Sequence, residues 1–178
     1  MRFYEILNEN YQMVSVSSGF LKEVSRLTKK ISADSDLPNG PEFETVVMNL
    51  LKQIDGIAGI GSLMTVWRAE LHPKGQETNL SSTGSHWSWH ADSAKVYDDE
   101  NAEYFHKGKE ELVEVVLEAD VKFKSIDWPY TVATNLILPN EREITVRPGS
   151  IVNVMGLYVG RNEIPFESQL PVIGQYER

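Results

Sequence analysis

Apolar residues recur at helical spacing early in the chain and at alternating spacing later. Between residues 15 and 33, Phe20, Leu21, Val24, Leu27 and Ile31 fall on one helical face, with Ser17 or Ser18 ahead of them as a cap. Pro38, Asn39, Gly40 and Pro41 then supply a turn, after which Val46, Val47, Leu50, Leu51 and Ile54 repeat the pattern up to Gly56. The first third is expected to be a helical hairpin or a pair of packed helices.

Beyond Gly59 the period changes. Leu63, Thr65 and Trp67 alternate with Met64, Val66 and Arg68 among β-branched and aromatic residues, which predicts a strand. The polar run HPKGQETNLSSTGS is a long loop. HWSWHAD follows as a short strand entering a helix near Asp92, which caps it and carries Ala94, Val96 and Tyr97. ELVEVVLEADVKF is a second strand, and SIDWPYTVATNLIL a turn with a short helical or irregular piece. REITVRP, SIVNVMGLYV and LPVIGQY complete a β-rich half, the first two joined by a turn at Pro148-Gly149. Helices first, then strands around one embedded helix, make an α+β chain rather than a regular βαβ alternation.

The length, 178 residues, fits one domain spanning 1–178, with a helical part over 1–58 and a β-rich core over 59–178. A formal net charge of −9 repels a phosphate backbone, so direct nucleic-acid binding is disfavoured. Cysteine is absent, which excludes disulfides, thiolate metal sites and a cysteine nucleophile. The polar start MRFYEILNENYQ lacks a long apolar core, so neither a secretion signal nor a membrane anchor is expected there, and a soluble cytoplasmic protein is.

Three short features could carry chemistry. Arg68 shares a strand face with Met64 and Val66, so a guanidinium on an inward-looking face calls for an anion or a carboxylate. Taken alone, the same arginine could reach solvent at a strand end. Ser88 lies between Trp87 and Trp89, where its hydroxyl could fix another side chain while the indoles stack on a flat ligand, or all three could be core and cap. Glu141 and Glu143 stand two apart in NEREITV, which on a strand projects both carboxylates to one side, and in a solvated turn would not.

In this order and spacing, Arg68, Ser88 and the Glu141-Arg142-Glu143 segment resemble the mono-ADP-ribosyltransferases of the arginine-serine-glutamate type, and VEVVLEADVKFKSIDW is similar to phage-encoded members. The resemblance covers roughly residues 60–156. It implies a core of two packed β-sheets with a cleft for NAD+ as donor substrate, no metal, and a host protein acceptor modified on arginine. It further implies that Glu143 hydrogen-bonds the ribose and stabilises an oxocarbenium-like state, and that Glu141 orients or deprotonates the acceptor. Arg68 would clamp the NAD+ phosphate or ribose, Ser88 would hold Glu143, and Trp87 and Trp89 would flank the cofactor. The family's Ser-Thr-Ser motif reads Ser88-Trp89-His90 here. A non-enzymatic acidic binding protein on the same fold is therefore the alternative.

Another class is raised by His90-Ala91-Asp92, the His-x-Asp half of an iron(II) and 2-oxoglutarate dioxygenase triad. The distal histidine such a site needs could only be His106, and that is too near. His86 and His90 are four apart, but the Trp-Ser-Trp between them reads as extended rather than as a zinc-protease helix.

Overall fold

Ser17 starts the first helix: its hydroxyl accepts the Phe20 N–H at 3.1 Å, and α1 runs Ser18–Ile31. Lys29 and Lys30 close it, where the helix dipole favours cations. The computed structural model describes residues 16–38, 40–58, 63–94, 112–160 and 162–174. Helix α2 spans Gly40–Ala58. Both helices bury their apolar stripes with a third, α3 (Trp128–Ile137): Val24 and Leu27 of α1 and Val47 of α2 share one cluster with Val132 and Ala133. Each such fully buried aliphatic side chain contributes about 1.5–3 kcal/mol before entropy is counted. The segment expected to be a short helical or irregular piece is thus a ten-residue helix that completes the helical layer. Asp127 caps it by accepting the Tyr130 N–H, and Pro129 sits in the first turn, where a missing N–H costs nothing.

Seven strands are described: β1 (Leu63–Pro73), β2 (His86–Ser88), β3 (Leu112–Lys122), β4 (Glu143–Thr145), β5 (Ile151–Val159), β6 (Asn162–Ile164) and β7 (Ser168–Pro171). They form one antiparallel sheet in the order β4-β2-β1-β3-β5-β6, with β7 also against β5, where two packed sheets were expected. The join between β1 and β2 is a single register pair, Trp67 opposite Ser88, after which the Ala69 N–H turns to the Ala94 carbonyl at 3.1 Å. The β2–β4 ribbon therefore splays from the longer strands. The sheet also curls back on itself, because Val172 just after β7 bridges to Thr83 just before β2. Inside that curl Met64, Val66 and Leu117 pack with Trp87, Ile144 and Val154.

Two sequence expectations change. The turn at Pro148-Gly149 forms, with the Ser150 N–H donating to the Arg147 carbonyl and Gly149 at φ 82. The hairpin that the Glu141-Arg142-Glu143 segment was expected to open does not form there, since β4 pairs with β2 and β5 with β3. The helix expected from Asp92 is, in its described part, one 3₁₀ turn at Ala91–Ser93 capped by the His90 side chain, which accepts the Asp92 N–H. Val96, Tyr97 and His106 lie outside the described residues.

Candidate active site

Alternation along β1 positions the first group. Met64 and Val66 are fully buried on the inner face, and Arg68, Glu70 and His72 continue that face to the point where β2 splays away. Polar groups are tolerated there because the strand has left the core. Arg68 donates from Nε to Glu70 Oε1 at 2.7 Å and from Nη1 to the His86 carbonyl. Its Nη2 makes no hydrogen bond among the described residues and lies against Gly84, where an added Cβ would stand 2.5 Å away. Glu70 also accepts from the Thr83 hydroxyl at 2.9 Å and faces His72 Nε2 at 3.3 Å. Burial pushes the Glu70 carboxyl up, but the Arg68 hydrogen bond and charge, with Thr83 and His72, outweigh it and hold the group below the usual carboxylate value.

Glu143 is held from behind by α3. The peptide groups of Glu143 and Thr145 point away from β2, and side chains of α3 take the place of a neighbouring strand. The Asn135 amide donates to the Glu143 carbonyl at 2.6 Å and accepts its N–H at 3.0 Å, while Thr131 Oγ1 accepts the Thr145 N–H at 3.0 Å. The Glu143 side chain is 11% exposed. Its Oε1 accepts from His86 Nδ1 at 2.8 Å and from the Thr145 hydroxyl at 2.7 Å. Oε2 has no hydrogen-bond partner among the described residues. One carboxylate oxygen is thus fixed by two hydrogen bonds, and the other is left without one on the wall of a cleft.

Ser88 and Glu141 stand differently from the strand-based expectation. The Ser88 hydroxyl donates to the carbonyls of Arg142 (3.2 Å) and Glu141 (3.3 Å) and accepts the His90 N–H at 3.1 Å. It thus ties down the backbone entering Glu143, while the carboxylate itself is held by His86 and Thr145. Glu141 is not on a strand: it occupies an exposed turn, and Arg142 at φ 50 interrupts the alternation between the two glutamates. The two carboxylates therefore occupy contrasting environments, one enclosed and one in water.

One cleft of about 730 Å³ brings Arg68, Glu70, Ser88, Glu141 and Glu143 together, within the range of small-ligand sites, roughly 300–1,000 Å³. It opens where β1 and β2 part. Trp87 borders it but is only 2% exposed, and Trp89 is equally buried, so both indoles are engaged in core packing rather than presented as stacking faces. The half-buried indole on the cleft wall is Trp67.

No group of three or more metal-ligating side chains is assembled among the described residues. His90 Nδ1 and Asp92 Oδ2 are 3.9 Å apart at the 3₁₀ turn. Among the described residues no helix is long and apolar enough to cross a membrane.

Glu70, His72, Thr83, Asn135 and Thr145 border or support the cleft and were not singled out from the sequence, and His86 was weighed there only as a metal ligand. For Glu70 and His72 a signal exists, since Arg68-x-Glu70-x-His72 places three polar groups on one face of a strand whose earlier residues on that face are apolar. Comparison of the chain with protein-family models, curated proteins and solved structures finds no match.

Proposed function

We propose that this protein is an NAD+-dependent mono-ADP-ribosyltransferase that modifies a host protein on arginine. The observation that supports it is the convergence of Arg68, Ser88 and Glu143, from three neighbouring strands, on one cleft with Glu141 at its rim. In the reaction the bond between nicotinamide and ribose C1′ breaks, nicotinamide leaves with the electron pair, and a guanidinium nitrogen of the acceptor bonds to C1′. The acceptor nitrogen gives up one proton.

Each residue fits a part of that chemistry. Glu143, fixed at Oε1, offers Oε2 to a ribose hydroxyl and opposes the positive charge that develops at C1′. Arg68 keeps Nη2 for a phosphate oxygen while Glu70 and the His86 carbonyl hold the rest of its fork. The missing side chain at Gly84 makes room for that guanidinium, which a Cβ there would strike. Glu141, exposed at the rim, is reachable by a protein side chain and takes its proton as general base. Ser88 acts through the backbone, fixing the turn from which Glu143 starts.

On this proposal the protein acts in the cytoplasm of a host bacterium, as the phage-encoded members it resembles do. Incubation of the purified chain and bacterial lysate with biotin-labelled NAD+, followed by mass spectrometry of labelled proteins, tests it: label on arginine is expected. Absence of label together with no NAD+-dependent rise in melting temperature favours a binding protein on this fold, because bound NAD+ would stabilise the chain by about 2.7 kcal/mol at a hundred times Kd.

A further inference from the structure

The strand registers place five residues in one lateral row. Glu143 is opposite Ser88, Ser88 opposite Trp67, Trp67 opposite Glu118, and Glu118 opposite Gly156. Directly opposed residues project to the same face of a sheet, so Glu143, Ser88, Trp67 and Glu118 form a track leading out of the cleft. At its far end Gly156 has no side chain, and the Tyr158 ring lies over it: a Cβ there would meet Tyr158 Cε2 at 3.3 Å. From that position the Tyr158 hydroxyl donates to Glu118 Oε2 at 2.9 Å.

Glu118 is thus a half-buried carboxylate beside an indole, with one oxygen oriented by a phenol and the other without a partner among the described residues. The hydrogen bond to this carboxylate pushes the Tyr158 phenol above its ordinary value, as expected where the protonated form is the donor. The surroundings are acidic. Glu163 is opposite Tyr158, and Glu114 and Asp120 share the face with Glu118 at alternate positions of β3, with Lys122 at the far end of the strand. A carboxylate with an indole as its cross-strand neighbour, in a negative field, matches a guanidinium, which pairs with the first and stacks on the second.

We infer that Trp67, Glu118 and Tyr158 form a subsite for a second arginine side chain of the protein acceptor, in addition to the arginine that is modified. Three strand spacings of about 4.8 Å separate Glu118 from Glu143, roughly 14 Å in all, which an extended peptide covers in about four residues. That spacing rests on the transferase proposal with Glu143 as the acting carboxylate; the cation subsite itself does not.

The test measures peptide binding without NAD+. Two labelled pentapeptides are compared by fluorescence anisotropy: Gly-Gly-Ser-Gly-Arg, with a single arginine, and the same peptide with that arginine replaced by uncharged citrulline. The wild-type chain is expected to bind the first about tenfold more tightly, as loss of a charge-assisted pair beside an aromatic face implies. E118Q, which keeps the size and the acceptor for Tyr158, is expected to bind both alike. Y158F, which leaves the carboxylate but frees it, is expected to lose about half of the discrimination on a logarithmic scale. Equal binding of the two peptides by the wild type overturns the inference, as does full discrimination retained in E118Q or, should that variant not fold, in Y158F. A chain that discriminates but never consumes NAD+ keeps the subsite and loses the transferase proposal. One that consumes NAD+ without discriminating does the reverse.

Discussion

Asn135 on α3 closes both backbone hydrogen bonds of Glu143, donating to its carbonyl at 2.6 Å and accepting its N–H at 3.0 Å. One amide side chain therefore stands where another strand would, and it sets where the buried glutamate sits. Asn135→Ala leaves two buried peptide groups without partners, at a cost of about 3 kcal/mol in stability. Urea unfolding checks this, and a loss below about 0.5 kcal/mol would show that the helix is not what positions β4.

Gly84→Ala tests the space beside Arg68. The new Cβ would lie 2.5 Å from Nη2 and 2.7 Å from Cζ, so the guanidinium must shift. NAD+ affinity by calorimetric titration is expected to fall about tenfold while the unfolding midpoint stays close to the wild type. Unchanged affinity would count against Arg68 as the phosphate clamp.

Glu70 gives the molecule an acid-sensitive contact. Its carboxyl is held below the ordinary value of 4.5, so the folded chain keeps it ionised where the unfolded chain would begin to protonate. The stability it contributes is therefore fully present above that unfolded value and is lost as pH falls through the lower folded value. Glu70→Gln removes the contribution. Melting temperatures of the two proteins are expected to differ at pH 7 and to converge as pH drops below about 4.5. A gap that widens in acid would contradict the assignment.

Glu141→Ala separates the two carboxylates. Because Glu141 is exposed in a turn, the substitution should change stability by no more than about 0.5 kcal/mol. Transfer to protein is expected to be lost and NAD+ hydrolysis spared. Equal loss of both would show that Glu141 serves the ribose chemistry rather than the acceptor.

The helical period of the first third and the alternation of β1 and β3 were legible in the sequence because those segments bury one face against a single layer. Ser17 as a cap and Gly149 in its turn were legible too, since local chemistry dictates both. What was not legible depends on pairing across the chain. That β4 joins β2 rather than β5, that Trp87 and Trp89 turn inward, and that His86 and Thr145 grip Glu143 are consequences of register between distant segments. In the Glu141-Arg142-Glu143 segment both glutamates line one cleft, but the left-handed backbone at Arg142 that parts the two carboxylates has no signature in an arginine.

Glu143→Gln puts the central claim to the most direct measurement. The amide keeps an oxygen for His86 and Thr145, so the fold and NAD+ binding should be retained, while the charge that on this proposal opposes the ribose cation is gone. NAD+ consumption followed by nicotinamide release is expected to fall by on the order of 100-fold or more, the effect of removing about 3 kcal/mol of electrostatic stabilisation. Wild-type consumption with that loss in the variant is the predicted result, and a variant that turns NAD+ over at the wild-type rate would contradict it.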